Sequence, residues 1–276
     1  IMSSDWSSDV CSSDLPENYI KFLGTAGARF VMAKQLRYSA GTFLSLAGRN
    51  VMLDPGPGTL LRCSRCRPKI DPTDLDAVVL THMHIDHSGD VNAVLDAMTA
   101  GGFNSHGTLF APEQCLEGED AVVLKYLHNA IESIQVLEPE SGYSVEGLSF
   151  STSVRHHHTA ETYGVIFRPD DLPSVGFLVD TEYFDGLADA YADADVLVIS
   201  VVRHEAHPSG KVMHLTLEEA RDIIAAVKPR KAIMTHFGMT MLKAKPWELA
   251  EEMSQELGLD IQAASDGLTL DLEEDV

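Results

Sequence analysis

The stretch Thr81-His82-Met83-His84-Ile85-Asp86-His87 sets the strictest limit on what this chain can become. It follows directly on Asp76-Ala77-Val78-Val79-Leu80, a short β-branched apolar run that reads as a buried strand. Three imidazoles and a carboxylate therefore lie where a strand gives way to a loop. Alternation sends His82 and His84 to one side, and the turn that follows can aim Asp86 and His87 at a second point. Imidazole nitrogen and carboxylate oxygen are donors suited to zinc and its borderline neighbours. The segment reads as a metal-binding loop, so the fold must bury its strand and open its end.

Composition limits the partners. With 276 residues and 45% apolar content, the chain can fill one large domain or two small ones. Its 20 basic and 42 acidic residues leave −22, a charge that repels phosphate backbones and anionic lipid. A large nucleic-acid footprint and a membrane partner are therefore not expected, whereas a small anionic substrate is compatible because a bound metal inverts the field locally. Four cysteines make no disulfide framework, which suits a reducing cytoplasm. No apolar run reaches membrane-spanning length.

Residues 1–15 are Ser- and Asp-rich, with neither the basic nor the apolar region of a signal peptide. The string Asp9-Val10-Cys11-Ser12-Ser13-Asp14-Leu15 looks like a translated sequencing adapter. The reading is a non-native disordered tail over 1–15 and a single domain over 16–276.

Along that domain, strands are predicted at 19–23, 42–46, 51–54, 108–111, 148–154, 164–168, 175–179, 196–200 and 232–235, with two short ones within 260–272. Helices are predicted from Thr59, over 89–98, 120–134, 184–192, 217–227 and 246–257. Pro55-Gly56-Pro57-Gly58 reads as a rigid turn rather than a phosphate cradle. Strands cluster and then alternate with helices in both halves of the chain, which predicts an α/β sandwich of two β-rich halves with helices outside. An apolar strand repeatedly ends at a ligand-type residue: His82, His158, Asp180 and His236. Ligands at strand ends can converge at one rim of stacked sheets.

The motif His82-x-His84-x-Asp86-His87, followed by a lone His, a lone Asp and a late Thr235-His236-Phe237, resembles the metallo-β-lactamase superfamily from about Tyr19 to the C-terminus. Within it, His158-Thr159-Ala160-Glu161-Thr162-Tyr163-Gly164 is similar to the segment carrying the third histidine in the ribonuclease-Z-like and cyclic-phosphate phosphodiesterase branch. His214-Leu215-Thr216 resembles that branch's Gly-His-Ser-Thr element, with Met213 in place of the glycine. The resemblance implies an αβ/βα four-layer sandwich with two mixed sheets and helices outside. It implies two divalent ions, with zinc favoured and manganese or iron also compatible. His82, His84 and His158 would hold one, Asp86, His87 and His236 the other, and Asp180 would bridge them.

By the same resemblance, hydroxide shared by the ions would attack a phosphodiester, with Asp86 in the catalytic centre and His214 serving the leaving oxygen. His156 is the fallback for His158. Asp54 is a candidate for orienting the histidine loop from behind. His204 and His207 are candidates for the substrate rim. Cys63-x-x-Cys66 reads as free thiols rather than a structural zinc site.

The expectation is a phosphodiesterase acting on a small or cyclic substrate. The alternatives are a lactone or thioester hydrolase of the same fold, and a ribonuclease-Z-like endonuclease. The span between His158 and Asp180 is too short for the long tRNA-gripping arm of ribonuclease Z, which disfavours the last. The branch also includes dimers, so a homodimer is compatible.

Overall fold

Adjacent residues of the central strands go to different layers, and this alternation builds the molecule. The computed structural model describes residues 16–27, 29–39 and 41–276, so the tail reading for 1–15 lies outside the described residues. In strand β3 (Arg49–Leu53), Val51 and Leu53 enter one core while Met52 enters another. Strand β11 (Val196–Ser200) repeats this, with Val196 and Val198 facing inward and Leu197 and Ile199 outward. A strand apolar on both faces must be covered on both, and the outcome is a four-layer sandwich.

The first sheet contains β1 (Tyr19–Phe22), β2 (Thr42–Leu46), β3 (Arg49–Leu53), β4 (Ala77–Val79), β5 (Thr108–Pro112) and β6 (Ser133–Leu137). These lie side by side in chain order, and β14 (Thr269–Asp271) flanks β1. The second runs β13 (Asp260–Ala263), β12 (Lys231–Thr235), β11 (Val196–Ser200), β10 (Val175–Leu178), β9 (Tyr163–Arg168), β8 (Leu148–Arg155) and β7 (Gly142–Val145). Both are mixed: β1–β3 pair antiparallel and β3–β6 parallel, while β7–β10 pair antiparallel and β10–β13 parallel.

The core between the sheets holds Leu44, Phe110, Phe150, Phe167 and Phe177, all buried. Phe110 and Phe150 meet edge to face, with ring centroids 5.0 Å apart. Outside the first sheet lie α2 (Thr59–Arg65) and α4 (Val91–Met98); outside the second lie α6 (Leu217–Val227) and α8 (Pro246–Leu257). Short helices α1 (Phe30–Ala33), α3 (Ile85–Ser88), α5 (Glu113–Leu116) and α7 (Met239–Ala244) sit in loops.

Two expected helices are absent. Residues 120–134 instead form a 3-10 turn at Lys125–Asn129 followed by β6, because Leu124 is extended (ψ 130°) and Ser133–Leu137 pairs with β5. Over 184–192 only Asp189–Tyr191 is helical, because Gly186 takes φ 90°, outside the helical region. No helix among the described residues is long and apolar enough to cross a membrane. Cys63, Cys66 and Cys115 are free and buried, and the Cys66 thiol donates to the carbonyl of Pro68 at 2.9 Å.

Candidate metal centre

The first histidine cluster is positioned by strand β4 and by what stands behind it. The chain leaves β4 at Val79 and runs through Thr81 and His82, both fully buried, to α3, which carries Asp86 and His87. The turn Pro55–Gly58 braces this loop. A methyl group on Gly56 would lie 2.1 Å from the Asp86 carbonyl oxygen, so only glycine lets the two backbones meet. That is the structural work of the Pro/Gly turn.

Asp54, at the end of β3, sits at φ 47° and turns its carboxylate under the cluster. It accepts the Thr81 amide and hydroxyl, each at 2.7 Å, and His87 Nδ1 at 2.9 Å. Since a carboxylate only accepts, His87 Nδ1 carries a proton, and Nε2 is the nitrogen turned inward. The Thr81 hydroxyl, having donated to Asp54, accepts from His82 Nδ1 at 3.0 Å, which leaves His82 Nε2 free as well. His158 Nδ1 donates to the Met213 carbonyl at 3.1 Å, again leaving Nε2 facing in. Each ring is thus held at its outer nitrogen, an arrangement that fixes tautomer and orientation in metal-ligating histidines.

The possible ligand atoms converge in overlapping groups, within 4.8 Å of one another in each: His82, His84 and His158; Asp86, His87, Asp180 and His236; His158, Asp180 and His214; and, behind them, Asp54 with His82 and His87. Asp180, just past β10 and 2% exposed, joins them: Oδ2 is 3.9 Å from His158 Nε2 and 3.5 Å from His87 Nε2, and Oδ1 is 3.3 Å from His236 Nε2. His236 follows β12 at φ 60°, a strained conformation for a non-glycine residue. His214 completes the ring, with Nδ1 3.6 Å from Asp180 Oδ2.

These strand-end residues meet on a sandwich whose residues 49–237 match the β-lactamase superfamily domain. The chain belongs to that superfamily. Its architecture is the metallo-β-lactamase fold, as in YhfI from Bacillus subtilis (17% identical, 92% of this chain and 98% of that one, TM-score 0.74). A diphosphatase from the PhnP family shares the fold (24% identical, 92% and 97%, TM-score 0.66). Among curated relatives, an uncharacterized protein from Methanocaldococcus jannaschii is 29% identical over 261 residues, 92% of this chain and 94% of its own. Ribonuclease Z from Kineococcus radiotolerans is 26% identical over 264 residues, 78% of this chain and 82% of its own. As a superfamily member the chain is a metal-dependent hydrolase.

The donors of this superfamily member fit divalent cations. His82 Nε2, Asp86 Oδ2, His87 Nε2, Asp180 Oδ1, His214 Nδ1 and His236 Nε2 are buried with no hydrogen-bond partner in the protein. Leaving six such atoms unsatisfied would be costly, and a cation relieves that cost. Burial, reinforced by the neighbouring His87, holds the His82 pKa well below the usual histidine range. Burial also lowers His84 and His214 and takes His158 to about 4, so His82, His84 and His158 are ready as neutral ligands. For His87 burial acts the same way but is outweighed by Asp180, Asp54 and Asp86, which raise it well above that range. Asp180, despite burial, is held well below the carboxylate range by His236, His214 and His87. Metal uptake must therefore displace a proton from His87.

Some candidates lie elsewhere. His156 points into the core, with Nε2 2.9 Å from the Tyr191 hydroxyl, so it does not share the inner group with His158. His204 faces a surface groove between α6 and α8, and His207 bonds Ser209 in the exposed loop; neither joins the cluster of possible metal ligands. Sequence reasoning missed Thr81 and Thr159, whose hydroxyl lies 3.1 Å from His84 Nε2. Threonine directly before His82 and again before His236 was the available signal for the first.

Proposed function

We propose that the chain is a dinuclear metallohydrolase of small phosphodiesters. His82, His84 and His158 would hold one ion, Asp86, His87 and His236 the other, with Asp180 reaching both; zinc suits this nitrogen-rich set. Such ions, when bound, polarise a phosphoryl group and supply a nucleophile at neutral pH. The observation that carries the phosphoryl reading is His214, half-buried beside Asp180 with Nδ1 unpartnered: it lies within ligand distance of His158 and Asp180, yet the two groups proposed to hold the ions are complete without it. Beside Asp180, it is placed to serve a leaving oxygen as proton donor. Asp54, through Thr81 and His87, fixes ring orientation, and Asp86 and Asp180 hold negative charge opposite the positive centre.

The small-substrate reading is supported by the interval between His158 and Asp180, which β9, β10 and their connections fill, leaving no long arm. The diphosphatase among the fold relatives is consistent with phosphoryl chemistry. Hydrolysis of bis-p-nitrophenyl phosphate and a cyclic phosphodiester, measured beside a lactone and thioester panel with metal-loaded protein, tests the reading. Faster turnover of the phosphodiesters supports it, and preference for a lactone or thioester overturns it.

A further inference from the structure

A cavity of about 70 Å³ adjoins the metal centre from inside the protein. Its lining includes Asp86, His87 and His236 of one ligand group together with Leu53, Phe177 and Val198 of the core between the sheets. Asp86 Oδ2 and the Nε2 atoms of His87 and His236 are buried with no hydrogen-bond partner among the described residues. A fourth such atom belongs to no ligand. Ser39, 5% exposed, lines the same cavity, and its hydroxyl oxygen is buried and unpartnered as well. Thr42, Ser200 and Thr235 add three hydroxyl-bearing side chains to the lining. A buried hydroxyl without a partner is costly, and water occupies cavities that are both polar and roomy enough. At about 30 Å³ per molecule, this one has room for two.

The lining also leads outward. Thr25, buried, is part of it, and its hydroxyl donates to Asp266 Oδ1 at 2.7 Å while accepting from Arg37 Nη1 at 2.9 Å. Direction follows from the partners. A guanidinium only donates and a carboxylate only accepts, so the Thr25 proton points at Asp266, and one lone pair remains for a donor in the cavity. Asp266 is half-buried and is held from its other oxygen by the Tyr38 amide at 2.9 Å. The backbone here is fixed to the metal centre: the Phe237 amide, next to His236, donates to the Thr25 carbonyl at 2.9 Å, and the Gly27 amide donates to the Phe237 carbonyl at 3.0 Å.

We propose that water in this cavity, the Thr25 hydroxyl and the Asp266 carboxylate form a proton exit from the metal centre to the surface. Hydrolysis needs one. As water bonds to phosphorus and the ester P–O bond breaks, one of its protons ends on the leaving alcohol. The other must depart, because a phosphomonoester, with a second pKa of about 6, is a dianion at neutral pH. Cavity water accepts that proton beside Asp86 and His236 and donates one to Thr25 Oγ1. Thr25 passes its own proton to Asp266 Oδ1, and Asp266 releases it to solvent. A substrate seated on the centre does not displace this route, since the cavity meets the ligands from the protein interior. The relay rests on the hydrolase assignment and on no particular substrate: lactone and thioester hydrolysis also release a proton, from the carboxylic acid formed.

The test has a structural and a kinetic arm. A high-resolution crystal structure of EDTA-treated protein should show ordered water on Ser39 Oγ and within hydrogen-bond distance of Thr25 Oγ1. With zinc-loaded protein, Thr25→Val and Asp266→Asn should each lower kcat about tenfold or more, with KM and zinc content unchanged. The substrate is whichever of bis-p-nitrophenyl phosphate, a lactone or a thioester the parent protein turns over. The solvent deuterium isotope effect on kcat should rise in both variants, and Thr25→Ser, which keeps the hydroxyl, should retain the parental kcat. A purely structural role would leave the isotope effect where it is. The proposal is overturned by a dry cavity, by parental kcat in both variants, by loss of zinc from both, or by an isotope effect that does not rise. Turnover of a lactone or thioester in preference to the phosphodiester sinks the phosphodiesterase reading and leaves the relay standing. Phosphodiester turnover at parental rates in both variants removes the relay alone.

Discussion

The Asp54 carboxylate stands 2.9 Å from His87 Nδ1, at the back of the imidazole rather than at the face it turns to the centre. The same group takes the Thr81 amide and hydroxyl, and through that hydroxyl reaches His82. One half-buried acid thus sets the tautomers of two rings that belong to different inner groups.

Asp54→Asn should weaken zinc binding by about 10–100-fold, the usual cost of losing such an outer partner. Asparagine tolerates the positive φ at this position, so the fold should persist. Competition with a chromogenic chelator measures the change. An affinity equal to that of the parent would remove Asp54 from the account.

His156 and His158, two residues apart, should separate cleanly. His158→Gln should lower metal content with little effect on the melting temperature of the metal-free protein. His156→Leu should leave metal content intact but cost about 1–3 kcal/mol, because the buried Tyr191 hydroxyl loses its partner at 2.9 Å and keeps only the longer contact of 3.3 Å to the Phe177 carbonyl. Elemental analysis and urea unfolding of both variants give the comparison, and the reverse pattern would show the assignment to be inverted.

Acid should destabilise the metal-free protein well above the carboxylate range. Burial takes both His156 and His158 to about 4, against about 6.5 in an unfolded chain. Between those values the unfolded chain binds protons that the folded one does not, so stability is full above about pH 6.5 and falls as pH drops toward 4. His87, raised, works in the other direction: its contribution is full below about 6.5 and is lost as pH rises through its folded pKa. Urea melts in EDTA at pH 7.5, 6 and 5 should show steadily falling stability, and equal stability at pH 7 and pH 5 would refute it.

His214→Ala should lower kcat on a small phosphodiester by about 10²–10⁴-fold while metal content stays unchanged. His204→Ala and His207→Ala, in positions away from the cluster, should retain parental kinetics. Loss of metal in the His214 variant would make it a ligand instead of a proton donor.

Much of this arrangement could be read from the chain, for identifiable reasons. Helices α6 and α8 match their expected bounds because local signals agree: Thr216 and Glu219 form a reciprocal capping box, and Pro246 opens α8 while Gly258 closes it. The strand-end positions of His82, Asp180 and His236 follow from apolar runs that stop at a polar residue. Residues 120–134 misled because Val123, Leu127 and Ile131 keep helical spacing and are all buried, yet edge pairing to β5 wins. Leu187 and Tyr191 misled in the same way, undone by Gly186. Which ring nitrogen faces inward depends on partners far away in sequence, such as Met213 for His158, and no local pattern encodes it. Loop histidines such as His204 and His207 carry no sequence mark that distinguishes rim from solvent.

The central claim is that two divalent ions share one centre through Asp180, and metal counting tests it most directly. Protein loaded with zinc and freed of excess should contain two ions per chain by elemental analysis, and Asp180→Ala should bring that below one while the protein stays folded. One ion or none in the parent chain, or an Asp180→Ala variant that still holds two, would contradict the account.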